Sequence, residues 1–354
     1  MGESKPVRWW PAVVVVALAG VACAVIWFGP ADSRQDRVMR TVLTGVVTAT
    51  LLTGWLVLLS RLRWRTRLAW VAVLAVVAFA ASRAVRIRGV SGDVLPILEW
   101  SWSEPEALPE VGATAAVGTT AALAIGPDDY PQFLGPDRNG TLPRRVFAVG
   151  ENAGAAELVW KQPIGLGWSA FAVVGDLAVT QEQRDDEEWV TCYDVEDGTI
   201  RWSHPIGAGW DDPLGGPGPR ATPTVADGRV YAFGGRGVLV ALDLASGRPL
   251  WEIGAAVDNG AAPPEYGFAG SPLVLGEAVV VAVGGSDGRS LVAYRREDGE
   301  RLWSGGDRGA GYASPALATI AGVAQVAVFD ADGVTAHDPG DGTELWHAPW
   351  PGQT

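Results

Sequence analysis

Ala241-Leu-Asp-Leu-Ala-Ser-Gly-Arg-Pro-Leu-Trp251 decides the fold, because the chain writes the same pattern four times. Cys192-Tyr-Asp-Val-Glu-Asp-Gly-Thr-Ile-Arg-Trp202, Ala293-Tyr-Arg-Arg-Glu-Asp-Gly-Glu-Arg-Leu-Trp303 and Ala336-His-Asp-Pro-Gly-Asp-Gly-Thr-Glu-Leu-Trp346 align with it without gaps. The tryptophans Trp202, Trp251, Trp303 and Trp346 follow one another at 49, 52 and 43 residues. That period is the length of a four-stranded propeller blade and too long for a leucine-rich repeat. In each copy Gly198, Gly247, Gly299 or Gly342 ends a turn dipeptide between alternating apolar runs, where glycine supplies the positive φ of a tight hairpin. The hairpin joins the last two strands of a blade. The tryptophan then falls at a fixed place on the outermost strand, where a flat ring can pack between neighbouring blades.

Working outward, Ala221-Thr222-Pro223, Gly270-Ser271-Pro272 and Ala313-Ser314-Pro315 recur upstream of these hairpins. They mark the start of each innermost strand, with Pro at an edge that needs no ladder donor. Ahead of the repeats, Glu157-Leu158-Val159-Trp160 reads as an outermost strand lacking the rest of its blade. The reading is therefore an all-β propeller of four complete four-stranded blades over residues 128–354, expected to be part of a larger ring.

The repeat Ala-Leu-Asp-x-x-x-Gly-x-x-x-Trp resembles that of the pyrroloquinoline-quinone (PQQ) propeller family, which includes quinoprotein dehydrogenases and BamB-like proteins. Tyr130-Pro-Gln-Phe-Leu-Gly-Pro-Asp-Arg-Asn-Gly140 resembles the lead-in segment of BamB-like bacterial proteins. The resemblance is specific for fold and much less so for activity. It implies either a non-enzymatic module that binds proteins or glycans, or a dehydrogenase oxidising an alcohol or sugar with PQQ and calcium. No calcium set, catalytic base or adjacent cysteine pair registers onto this sequence, so no cofactor and no catalytic residue are expected.

The first part of the chain is of another kind. Up to Arg88 there are 12 Lys and Arg against 3 Asp and Glu; after it, 15 against 37. The acidic remainder argues against a nucleic-acid partner. Apolar runs near 9–28, 41–60 and 68–85 form a helical anchor over residues 1–88, and 89–127 reads as a linker, including the weakly hydrophobic run Val111–Ile125. Arg61, Arg63, Arg65 and Arg67 place the loop between the second and third runs on the cytoplasmic side. Three spans then put the repeats outside a cytoplasmic membrane that the chain crosses several times, whereas two spans, or a fourth over Val111–Ile125, would leave them in the cytoplasm.

Gly167-Trp168, Gly267-Phe268 and Gly311-Tyr312 set an aromatic at the approach to three blades, with Arg220 in the fourth. Such a ring of Trp168, Arg220, Phe268 and Tyr312 either grips a peptide or glycan or plugs the narrow end of each blade. Asp185-Asp186-Glu187-Glu188 reads as a solvated hairpin tip, with cation binding as the alternative, and Asp211-Asp212 has the same standing. His204, His337 and His347 lie in separate repeats without ligand spacing and are expected at the surface. Ser169, Ser271 and Ser314 lack His and acid partners, which leaves no hydrolase signature.

Overall fold

The computed structural model describes residues 7–30, 33–90, 95–103, 107–110, 125–142, 157–212 and 215–350. It forms two compact units: Met1–Pro105 with Pro213–Gly215, and Glu106–Asp212 with Gly216–Thr354.

In the first unit, helices α1 (Trp10–Phe28), α2 (Arg34–Gly54, continued by a π-helical turn Trp55–Leu59) and α3 (Trp64–Ala84) are each long and apolar enough to cross a membrane. Ser33 caps α2, its Oγ accepting from the Asp36 N–H at 3.1 Å. The α1–α2 hairpin is tied at both ends. Trp27 Nε1 donates to Thr41 Oγ1 at one end (3.2 Å), and at the other Trp55 Nε1 donates to the Arg8 carbonyl (2.8 Å). Arg67 donates to the carbonyls of Val57 and Leu62, satisfying the end of α2. Arg8 and the arginine loop therefore share one end of the hairpin. Helix α3 starts four residues earlier than expected because Trp64–Arg67 coil into its first turn. An antiparallel hairpin, β1 (Val85–Val90) with β2 (Pro96–Trp100), follows within what reads as linker. The run 111–124 lies outside the described residues.

Among the described residues the second unit contains four antiparallel sheets of four strands, each in sequence order. They are β3 (Ala172–Val174), β4 (Leu177–Arg184), β5 (Glu187–Asp194), β6 (Ile200–Ala208); β7 (Thr224–Ala226), β8 (Arg229–Phe233), β9 (Leu239–Asp243), β10 (Pro249–Ile253); β11 (Leu273–Leu275), β12 (Ala278–Gly285), β13 (Arg289–Arg295), β14 (Arg301–Gly305); and β15 (Ala316–Ile320), β16 (Val323–Phe329), β17 (Gly333–His337), β18 (Glu344–Pro349). A short helix α4 (Ala255–Asp258) follows β10.

The repeated tryptophan fastens each sheet to the next. Trp202 packs on Gly247, Trp251 on Gly299 and Trp303 on Gly342; ahead of the first sheet, Trp160 packs on Gly198. The indole N–H groups of Trp160, Trp202 and Trp251 donate to the carbonyls of Val195, Leu244 and Arg296, at 2.8, 2.8 and 2.9 Å. The glycines are required twice over. Their φ lies between +66° and +77°, and a Cβ at Gly247 would stand 2.5 Å from the Trp202 ring. A bulge accompanies the tryptophan in all four sheets, for instance between Pro249 and Trp251, and turns the outer strand against its neighbour. Residues 157–164 carry no strand, so Trp160 makes the contact of an outermost strand from an irregular segment.

Candidate functional site

The lead-in segment is a strap across the inner edges of the sheets. Tyr130 exchanges two 2.8 Å backbone hydrogen bonds with Val173 of β3, and the Pro131 carbonyl accepts from Val225 N–H of β7 at 2.7 Å. Arg138 then reaches the third sheet, donating to the carbonyls of Ser271 (3.1 Å) and Pro272 (2.9 Å) and to Gln132 Oε1 (3.1 Å).

The Thr-Pro and Ser-Pro positions form a second circuit. Ala170 N–H donates to Thr222 Oγ1 (3.1 Å), Thr222 N–H to Ser271 Oγ (2.9 Å) and Ser271 N–H to Ser314 Oγ (2.9 Å). Each hydroxyl accepts the N–H of a residue just ahead of the preceding sheet's innermost strand. The serines expected to be chemically idle are thus structural, and Ser169 Oγ accepts from Gln181 N–H.

Strap and circuit enclose a cleft of about 430 Å³ lined by Phe133, Leu134, Arg138, Arg220, Ala269, Tyr312, Ala313, Ser314 and Ala316. Counting two residues back from Ala170, Thr222, Ser271 and Ser314 gives Trp168, Arg220, Ala269 and Tyr312 as equivalent positions. Trp168 is 63% exposed. Arg220 pairs with Asp212 at 2.7 Å and donates to the carbonyls of Gly216 and Gly218. The Tyr312 ring lies tilted against that of Tyr266, with centroids 5.5 Å apart. Phe268 stands apart from this group: it is 2% exposed and packs on Phe233 inside the core. One extra residue between Gly267 and Ser271, relative to Gly311 and Ser314, turns its ring inward.

Burial lowers the Arg138 pKa to about 10, which still leaves the guanidinium charged at neutral pH. Its hydrogen bonds go to neutral oxygens, and no Asp or Glu lines the cleft among the described residues. The acidic run departs from its sequence reading. Asp185, Asp186 and Glu187 are exposed, but Glu188 is 2% exposed, its Oε2 accepting from Gly235 N–H at 2.8 Å. Desolvation raises its pKa, against the opposing pull of the Gly235 and Trp210 N–H groups and of Arg236 and Arg220. Strand alternation explains the difference, since Glu188 pairs with Gln183 and shares its inward face. His337, expected at the surface, is buried with Nδ1 2.9 Å from the Gly342 carbonyl; His204 is partly buried, 4.0 Å from Glu252. Among the described residues no three His, Cys, Asp or Glu side chains are placed to hold a metal.

A PQQ–calcium pair makes two demands on a site. Its carboxylates want cations, which Arg138 supplies, Arg220 being paired with Asp212. Calcium wants several oxygen ligands, usually including carboxylates, and the cleft lining offers none of the latter. The lining fits carboxylates and does not fit the ion.

The family model described as outer membrane protein assembly factor BamB matches residues 143–252 and 186–354. The chain belongs to this family of PQQ-like repeats. Among solved structures, this PQQ-like chain is similar to BamB from Moraxella catarrhalis, at 22% identity and a TM-score of 0.37, over 56% of this chain and 55% of that one. It is also similar to the quinohemoprotein alcohol dehydrogenase of Comamonas testosteroni, at 18% identity and a TM-score of 0.44, over 62% and 41%. A third similarity is to quinohemoprotein alcohol dehydrogenase ADHIIG of Pseudomonas putida HK5, at 18% identity and a TM-score of 0.39, over 52% and 34%. The chain thus spans about half the length of the BamB structure and less of the two dehydrogenases. No curated protein matches it.

Proposed function

We propose that this PQQ-like repeat protein is a membrane-tethered, non-enzymatic propeller that binds protein partners outside the cytoplasm. The cleft carries the reading. Arginine and aromatic side chains around small residues are the composition of protein-binding hot spots, here held by a strap and a hydroxyl circuit that fix their positions. Exposed Trp168 extends the same composition over the approach to the first sheet. The family adds weight, because its model is named for an assembly factor. For the tether, the three apolar helices and the clustering of Arg8 with the arginine loop at one hairpin end support three spans with the N-terminus inside.

The test has two arms. A photo-crosslinking side chain at position 168 or 312 in intact membranes is expected to give discrete protein adducts that Tyr312→Ala or Trp168→Ala diminishes. Addition of PQQ and calcium to the purified full-length protein is expected to give neither quinone absorbance nor dye reduction with alcohols or sugars. Quinone-dependent turnover would overturn the non-enzymatic reading. A reporter fused after Gly126 reads the orientation, and activity confined to the cytoplasm would reverse it.

A further inference from the structure

Among the described residues the cleft holds a cation with no anion of its own. Arg138 has five N–H donors and directs three hydrogen bonds at the neutral oxygens of Gln132, Ser271 and Pro272. Arg220, the other cation in the lining, is already neutralised by Asp212 at 2.7 Å. The remaining polar groups in the lining are donors in waiting. Ser314 Oγ accepts from Ser271 N–H and Tyr312 Oη accepts from Tyr266 N–H (3.4 Å), so each hydroxyl keeps its proton for a further acceptor. Around them stand Phe133, Leu134, Ala269 and Ala313, which lower the local dielectric and strengthen any charge-assisted bond formed there.

We infer that this cleft recognises a carboxylate, presented by the acidic side chains of an extended peptide segment, with Arg138 as its anchor and the Tyr312 and Ser314 hydroxyls as secondary donors. The inference rests on the protein-binding reading and names the chemistry of the partner. Two observations favour it. Among the described residues the Arg138 guanidinium is bonded only to neutral oxygens, an incomplete charge pair that a carboxylate completes. The Tyr312 and Ser314 hydroxyls of the same lining each keep a proton to donate to such an anion. The acidic balance of the chain after Arg88, 37 Asp and Glu against 15 Lys and Arg, repels an acidic segment from the rest of that surface. The volume, about 430 Å³, exceeds what one carboxylate needs and leaves room for flanking residues against the aromatic and alanine walls.

The probe is fluorescently labelled hexaglutamate amide, compared with hexaglutamine amide, read by anisotropy on the detergent-solubilised full chain at low salt. Hexaglutamate is expected to bind about tenfold or more tightly than hexaglutamine, and Arg138→Gln to remove that preference. Arg138→Lys retains part of it. Because Arg138 also braces the strap, near-UV circular dichroism checks each variant, and if Arg138→Gln fails to fold, Tyr312→Phe carries the test with an expected loss of about threefold. Equal binding of the two peptides, weakened by Tyr312→Ala, would overturn the carboxylate inference and leave the protein-binding reading standing. Hexaglutamate binding unchanged in Arg138→Gln and Tyr312→Phe would also overturn it. Citrate that binds tightly and displaces hexaglutamate would uphold carboxylate recognition and count against a protein partner.

Discussion

The interface between the first and second sheets and that between the second and third are built on the same repeat, yet they finish differently. Both begin as apolar cores, Val179, Val190 and Trp202 against Val230, Val240 and Leu242 in one, Tyr231 and Trp251 against Val279 and Val292 in the other. In the second the core continues to the end, where Phe233 meets Phe268 at 5.1 Å. In the first, Gln181 occupies the place of Phe233, followed by Gln183 and Glu188, and one side-chain oxygen of each is buried without a hydrogen-bond partner. A repeat can thus keep its fastening while one interface is sealed and its neighbour carries a cost of about 1–3 kcal/mol for each unsatisfied group. At that end the Gly235 and Trp210 N–H groups and the charges of Arg236 and Arg220 act on Glu188, partly offsetting its desolvation.

Five substitutions break or sharpen this contrast, each read by thermal or urea unfolding of the solubilised full chain. Phe268→Ala removes the seal of the second interface and is expected to cost about 3–5 kcal/mol; a loss below about 1 kcal/mol would show that the seal is not what holds that end. Gly247→Ala combines an unfavourable positive φ with a collision into Trp202, for an expected loss of about 2–3 kcal/mol. Gly299→Ala should cost less, because its Cβ would stand 3.0 Å from Trp251 rather than 2.5 Å from Trp202.

Glu188→Gln tests the polar interface through pH. Desolvation raises the Glu188 pKa in the folded state, so the folded protein holds this proton more tightly than the unfolded chain. Its favourable contribution is complete below the ordinary carboxylate pKa and is lost as pH rises through the raised folded value. The wild type should therefore lose stability over that rise, and Glu188→Gln should flatten the profile; identical profiles would remove Glu188 from the account. The smallest effect is expected from Gln183→Met, which deletes an orphaned oxygen and should change stability by no more than about 1 kcal/mol, in the favourable direction.

The fastening was legible in the sequence because it is local. A glycine four residues before a tryptophan needs only a hairpin to bring turn and ring to fixed positions, and the next copy supplies the other half. The cleft was less legible. Phe268 and Tyr312 both follow a glycine, but their facing depends on the distance to the next Ser-Pro; counting back from the hydroxyl gives Ala269 instead. Arg138 stood in a recognised segment, yet its reach to Ser271 and Pro272 spans more than a hundred residues and leaves no local pattern. The burial of Glu188 was hidden by its three exposed acidic neighbours, since a run of like charges masks the alternation that turns one of them inward.

The tryptophan and its receiving glycine belong to consecutive repeats, so each of the first three sheets is both a plug and a socket, and the array has a direction. Because the two halves sit at constant offsets within the unit, a duplicated copy arrives already compatible with both of its neighbours. Loss of one copy still leaves matching ends to rejoin. Growth and shortening by whole units are then the least disruptive changes open to such a gene, while a shift of one residue within a unit would disable two joints at once.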